Sequence, residues 1–321
     1  MNKLGADILR LWIASADYSR EMTLSDEILK RNTEAYRRIR NTARFLLANL
    51  GDFDPAKDVV APKDMLALDR WAVAQAYEAQ QRIVSAYDRY QFHLVSQEIQ
   101  KFCSVEMSSL FLHITKDRQY TMQANSLGRR SAQTAAWHIL RAMLRWMCPI
   151  LSFTAEEILH YMPGETEKYV LFMQWYDGLF PLDANDKVSA SDWEHIFAAR
   201  EAVSKQLETL RIAGNIGSSL EAEVDLYCTA DSEQGKSLAK LGDELKFVFL
   251  TSATRLHQGA APTQAEPLME GLAGSTRVST ALKCTRCWHH VPDVGTHAEH
   301  PELCGRCIEN VDGTGERREY A

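Results

Sequence analysis

The feature that most limits how this chain can fold lies near its C-terminal end. Cys284-Thr285-Arg286-Cys287 is followed, after sixteen residues, by Cys304-Gly305-Arg306-Cys307. Two Cys-x-x-Cys pairs at this separation fit a four-thiolate zinc site, because a two-residue gap lets both sulfurs of a pair face one ion at about 2.3 Å. Gly305, inside the second pair, is expected to supply a positive φ for a tight turn. So short a segment buries little apolar surface, and a metal is expected to hold it together. Two rival readings stand beside this one. A redox pair usually follows a strand of a βαβ unit and occurs once, and a disulfide framework needs an oxidising compartment, of which no signal peptide gives a sign. His289, His290, His297 and His300 could each replace a cysteine as ligand. Zinc by itself names no function, since such sites serve nucleic-acid binders, enzymes and scaffolds alike.

The 321 residues suffice for two or three domains, and 45% hydrophobic with 25% charged residues is ordinary for a globular protein. No apolar run reaches membrane-spanning length, so a soluble protein with no membrane partner is expected. A net charge of −7 argues against indiscriminate nucleic-acid binding and leaves room only for a local basic face. Cys103, Cys148 and Cys228 lie on apolar faces or in a strand pattern and read as buried free thiols of a reducing cytosol.

The chain is read in order. Residues 4–15 form a short amphipathic helix, and Ser25 caps a long helix over 26–50 ended by Gly51. Between residues 31 and 44, Arg31, Arg37, Arg38, Arg40 and Arg44 stand against one acid, Glu34. Arg37, Arg40 and Arg44 share a face, which tilts the reading toward phosphate contact over a solvated salt-bridged face. Residues 52–63 connect to two helices over 64–115, and Lys116–Tyr120 is polar enough to be a turn. Another helix spans 126–148, carrying Arg129 and Arg130, and Pro149 stops it. Thr154-Ala155-Glu156-Glu157 reads as a capping box for a short helix. Helices joined by short links predict an antiparallel helical bundle.

The pattern changes after Asp177-Gly178. A second capping box, Ser191-Asp192-Trp193-Glu194, opens a helix to about Ile212, and residues 220–228 alternate as a strand with one wet face. A helix near 237–245 and a strand at 247–251 complete a small α+β unit, 260–274 reads as a loop or linker, and a strand at 277–282 leads into the knuckles. Phosphate loops, dinucleotide fingerprints, nucleophile elbows and His-Glu-x-x-His pairs are all absent, so no catalytic residue is assigned.

Several stretches together resemble one family. LGADILRLW (4–12), YRRIRNTARFLLANL (36–50), FCSVEMSSLFLHITKDRQY (102–120), RSAQTAAWHILRAMLRWMCPILSFTAEE (130–157), GSSLEAE (217–223) and the two cysteine pairs look like the C-terminal part of bacterial isoleucyl-tRNA synthetases. The helical stretches would also suit the valyl and leucyl enzymes, and the four-cysteine end narrows the choice. The departure is large: the family's Rossmann core with its two signature motifs, and its editing domain, are not in this sequence.

The resemblance implies a mainly α chain. A remnant of the stem-contact region (1–25) would precede a helical anticodon-binding domain (26–185), an α+β junction (186–274) and a zinc-binding C-terminal domain (275–321). It implies one structural zinc on Cys284, Cys287, Cys304 and Cys307. It implies a monomeric, cytoplasmic part of an ATP-using isoleucine–tRNA ligase that is itself inactive and binds isoleucine tRNA, not DNA. Expected tRNA contacts are Arg37, Arg38, Arg40, Arg44, Arg129, Arg130, Lys283, Arg286, Trp288, Arg306, Arg317 and Arg318. Trp288 is either a platform for an unstacked base or a lid over the thiolates. The alternatives are a stand-alone tRNA-binding or scaffold protein and a zinc-ribbon DNA glycosylase. The latter would need an N-terminal catalytic proline and acid, which Met1-Asn2-Lys3 does not supply.

Overall fold

The computed structural model describes residues 4–229 and 231–321. The chain is mostly helical, with a small mixed four-stranded sheet and a four-cysteine cluster toward the C-terminal end. It divides into two compact units. One runs up to His113 and resumes over Arg130–Pro181; the other holds Ile114–Arg129 with Leu182–Ala321.

The first unit contains α1 (Ala6–Ser15), α2 (Asp26–Ala48), α3 (Ala67–Asp88) and α4 (Phe92–Lys101). The helical run continues from α4 through a π-helical segment, Phe102–Phe111, into α5 (Leu112–Thr121), most of which belongs to the second unit. Ser25 caps α2 as expected, its hydroxyl accepting the Ile28 N–H at 3.2 Å. Hydroxyls accompany the widened helix: Ser108 donates to the Cys103 carbonyl at 2.7 Å, five residues back, and Ser104 to Gln100 at 2.6 Å. Then α6 (Leu127–Met147) and α7 (Ser152–Leu159) follow.

 The last of these, Ser152–Leu159, begins two residues earlier than the expected capping box at Thr154 and has no cap of its own. Its free N–H groups are taken instead by Asp7 of α1, which accepts from Thr154 N at 2.7 Å and from the Thr154 hydroxyl at 2.6 Å. The core of this unit gathers Leu11, Ile39, Leu46, Leu68, Ile83 and Met107 around Trp146, whose ring meets Phe102 edge-on at 5.1 Å. The indole N–H donates to Gln80 at 3.0 Å, so the largest buried side chain leaves no polar atom unpaired.

In the second unit, α8 (Ala190–Ile212) starts two residues earlier than expected. The capping box is Ser189 with Asp192, not Ser191 with Glu194: Asp192 N donates to the Ser189 hydroxyl at 3.2 Å and Ser189 N to the Asp192 carboxylate at 2.8 Å. The sheet is built on β1 (Ala222–Cys228), followed by α9 (Glu233–Lys240), α10 (Leu245–Phe249), β2 (Ala253–Gln258), β3 (Glu266–Met269) and β4 (Leu272–Val278). The strand order is β2-β1-β4-β3; β1 runs parallel to β2 and antiparallel to β4. A last short helix, α11, spans Gly305–Val311.

Three further expectations fail here. The strand expected at 247–251 is largely helix α10, whose Leu245, Phe247, Val248 and Phe249 are all buried; an apolar run buried on every side carries no period to read. The loop expected over 260–274 contains β3 and the start of β4, which turn at Gly271 with φ 75°; Pro267 fits because β3 is the sheet edge. The turn expected at Lys116–Tyr120 is part of α5. Its polarity misled because Asp117 and Arg118 are polar residues buried with partners, not solvated ones.

Candidate functional site

The cysteine pairs form two knuckles that bring their sulfurs together. Lys283 and His290 bridge across the first knuckle, and Trp288 N closes the turn by donating to the Cys284 carbonyl at 2.9 Å. The second knuckle runs into α11, with Cys304 as its N-cap residue. The four sulfurs lie within 4.8 Å of one another, and all four cysteines are buried. Cys287 Sγ and Cys304 Sγ are 3.7 Å apart, close to the edge of a tetrahedron with about 2.3 Å metal–sulfur bonds and far beyond a disulfide's roughly 2.05 Å. The Cys304 N–H also points at Cys284 Sγ, at 3.4 Å.

The histidines are engaged elsewhere. His289 Nδ1 lies 3.2 Å from the Cys287 carbonyl, His290 Nδ1 lies 2.9 Å from the Ala281 carbonyl, and His297 and His300 face Asp293 and Asp312. Among the described residues, the one metal-competent group is the cysteine quartet. The thiol chemistry agrees. Hydrogen bonds from Cys304 and Cys307 hold the Cys287 thiol far below its ordinary range, while Cys304, bonded to that sulfur, is pushed up to about 12. A dication seated among the four sulfurs would displace the thiol protons. The residues therefore fit one structural zinc. When bound it would be closed by four thiolates, with no open position for water or substrate.

Gly305 does not supply the positive φ expected of it. It begins α11, and its missing Cβ makes room for the Asp293 carboxylate, which would stand 2.9 Å from such an atom and which accepts the Gly305 N–H at 2.7 Å. The left-handed residue is Trp288, at φ 66°, an uncommon conformation for a bulky side chain. Its ring is 60% exposed and carries the Lys283 ammonium 5.4 Å from its centre.

The remaining arginines divide by environment. On α2, Arg37 pairs with Glu34 at 3.0 Å and Arg40 with Glu157 at 3.0 Å, both exposed pairs. Arg38 and Arg44 are exposed on the same helix. Arg129 donates to the Gln119 and Ala124 carbonyls and holds the turn ahead of α6, while Arg130 reaches back to Asp52 and Asp58 and holds that distant connection. Arg286 is exposed and donates once, to the Thr121 carbonyl at 3.1 Å; Lys283 and Arg317 are exposed. Arg306 and Arg318 point inward.

Those last two form a buried ionic cluster that the sequence did not reveal. Arg306 binds Asp117 through two parallel bonds of 2.8 and 2.9 Å and Glu316 at 3.0 Å. Arg318, whose side chain is 1% exposed, bonds to Asp117 and reaches Glu316 at 3.1 Å, with its guanidinium 3.5 Å from the centre of the Phe247 ring. Burial alone would raise the Asp117 carboxyl, but the two guanidiniums outweigh it and hold the group well below the usual carboxylate range. Nothing in the local sequence of Lys116–Tyr120 announces partners nearly two hundred residues away.

Comparison with known proteins agrees with this construction. Residues 69–226 match the family described as "Anticodon-binding domain of tRNA ligase", and residues 281–310 match the "Zinc finger found in FPG and IleRS". Over these two stretches the chain resembles an anticodon-binding domain of the tRNA ligases followed by a zinc finger. More particularly, the chain is homologous to the C-terminal part of isoleucine–tRNA ligase. It is 55% identical to the isoleucine–tRNA ligases of Thioalkalivibrio sulfidiphilus and Methylococcus capsulatus, and 53% identical to that of Cronobacter sakazakii. Each match covers 100% of this chain and 34% of the relative, so the chain spans about a third of their length.

Proposed function

We propose that this chain is the tRNA-recognising part of an isoleucine–tRNA ligase, acting as a monomer in the cytoplasm. The parent enzyme would join isoleucine to its tRNA using ATP. The chain alone would bind that tRNA without activating the amino acid, since it carries no nucleotide-binding motif. One observation carries the reading: an anticodon-binding region and a preformed four-thiolate site occur in order in a single chain matched over its whole length by isoleucine–tRNA ligases.

The tRNA contacts would come from the outward-facing cations. Arg38 and Arg44 have guanidiniums open to solvent, and the exposed pairs of Arg37 and Arg40 are worth at most about 1 kcal/mol, so phosphates can displace them. At the knuckles, Lys283 lies over Trp288, Arg286 and Arg317 are further exposed cations of the same segment, and the exposed Trp288 suits a base platform better than a cover for sulfurs already buried. Arg306 and Arg318 would act by positioning the finger, Arg129 by fixing the turn ahead of α6, and Arg130 by fixing the connection at Asp52 and Asp58.

A gel-shift titration with isoleucine tRNA against valine tRNA over a salt series tests this. Arg38→Ala with Arg44→Ala should weaken both RNAs by similar factors and flatten the salt dependence, because phosphate contacts carry no sequence information. Trp288→Gly should cost about tenfold or more in affinity while zinc stays bound; glycine keeps the left-handed turn at no strain. Zinc lost together with the ring would make Trp288 a lid. No preference for isoleucine tRNA, or isoleucine-dependent ATP–pyrophosphate exchange by the purified chain, would count against the reading.

A further inference from the structure

One face of the sheet has no part in the metal site. The strand registers put Glu223, Asp225 and Tyr227 of β1 beside Arg255 and His257 of β2, and beside Arg277 and Ser275 of β4. Alternation sends these residues to one side, while Ala222, Val224 and Leu226 are wholly buried on the other. Many sheets leave one face to water, and such faces are commonly a scatter of small polar residues. This one is organised in two layers.

The inner layer is anionic. Glu223 and Asp225 keep only 15% and 9% of their side-chain surface. The outer layer consists of the groups they hold: Arg255 at 48% exposure, Arg277 at 52% and His257 at 45%. Arg277 bonds to Asp225 and reaches Glu223 at 2.7 Å, Arg255 reaches Glu223 at 2.9 Å, and His257 Nε2 lies 2.8 Å from Asp225. Each guanidinium is thus fixed by a carboxylate beneath it and keeps N–H groups facing outward. Next to them the rings of Tyr227 and His257 stack, 4.9 Å apart and 18° from parallel. The solvent side of this face therefore offers oriented cations beside an aromatic platform, which is complementary to phosphates spaced along a chain of flat bases.

We propose that this sheet face binds an unpaired stretch of RNA, with phosphates at Arg255 and Arg277 and a base against the Tyr227–His257 pair. It rests on the reading of the chain as a tRNA binder and adds a second contact surface to it, made by neither α2 nor the knuckles. An RNA duplex keeps its bases stacked inside and fits only the cations, so the face selects loops over helices.

The test uses the zinc-loaded 321-residue chain and an isoleucine tRNA transcript. Tyr227→Ala with His257→Ala should lower affinity about tenfold at unchanged zinc content, and His257→Phe, which keeps a ring but not the Asp225 bond, should retain it. A decauridylate should compete for the face and a ten-base-pair duplex should not. Should the double variant fold poorly, the wild type decides: tRNA carrying 4-thiouridine should cross-link to peptides from residues 222–258. Unchanged affinity in a folded double variant, equal competition by the duplex, or no cross-link to these strands overturns the proposal and leaves the tRNA-binding reading standing. Failure of the wild-type chain to bind tRNA at all overturns both.

Discussion

Removing zinc should unfold the finger and leave the sheet beside it in place. The expected result is one zinc per chain by elemental analysis, lost to a strong chelator and absent from Cys304→Ser. Amide protection should collapse over residues 281–310 while the strands of the sheet stay protected. The magnitude follows from how little else holds the finger. Besides the four cysteines its buried cluster contains Val294, with Val291 and Leu303 packed against it only in part. At roughly 25 cal/mol per Å² such a cluster yields a few kcal/mol, whereas structural zinc contributes about 10–16 kcal/mol in comparable finger peptides at neutral pH. The metal term wins by a wide margin. Binding must also release thiol protons, so zinc affinity should fall as the solution is made acidic. A metal-free chain with fully protected knuckle amides would show that packing, not the metal, builds the finger.

How much of this was legible beforehand varies with the kind of signal. The cysteine quartet was readable because metal chemistry fixes residue type and spacing together, and Cys103, Cys148 and Cys228 are free and buried as expected. The long helices were readable because an amphipathic stripe repeats over several turns. Several of the failures share a cause, which is that a distant part of the chain supplied what a local pattern appeared to lack. The N-terminus of α7 is capped by Asp7, almost 150 residues earlier, so no capping box at Thr154 was needed. Strand β2 was missed because its Arg255 and His257 look like loop residues until Glu223 and Asp225 are seen beneath them. The arginines show the same limit from the other side. Charge counting marked Arg38 and Arg318 alike as candidates for RNA, yet one is open to solvent and the other is sealed against Phe247. Composition reports that a cation exists; only its partners decide whether it faces out.

The buried cluster at Asp117 gives the second large effect. Asp117→Ala should destabilise the unit that contains the finger by about 3–5 kcal/mol, because it leaves two buried guanidiniums with Glu316 as their one remaining cluster carboxylate. The loss should appear as a lower unfolding midpoint and faster exchange of amides around α11 and α10, since Arg306 belongs to the first helix and Phe247 to the second. Zinc stoichiometry should be unchanged under saturating metal, because no cysteine ligand is touched. The acid limb supplies an independent reading. The Asp117 carboxyl has a folded-state pKa below its ordinary value of 3.8, so the folded protein binds fewer protons than the unfolded chain between the two. Its contribution is then complete above about pH 4–5 and is lost as the pH falls through the lower folded value. Wild type and Asp117→Ala should therefore differ most at neutral pH and converge in strong acid. Replacing the cluster together, with Asp117→Leu, Glu316→Gln, Arg306→Met and Arg318→Leu, should recover much of the stability, because the cost lies in stranding a charge and not in lacking an ion pair. If the single variant is as stable as the wild type at neutral pH, the cluster is held by the surrounding fold and contributes nothing to it. If the quadruple variant is stable but its tRNA affinity falls, Arg306 or Arg318 touches RNA after all, and the inward geometry is not the one that binds.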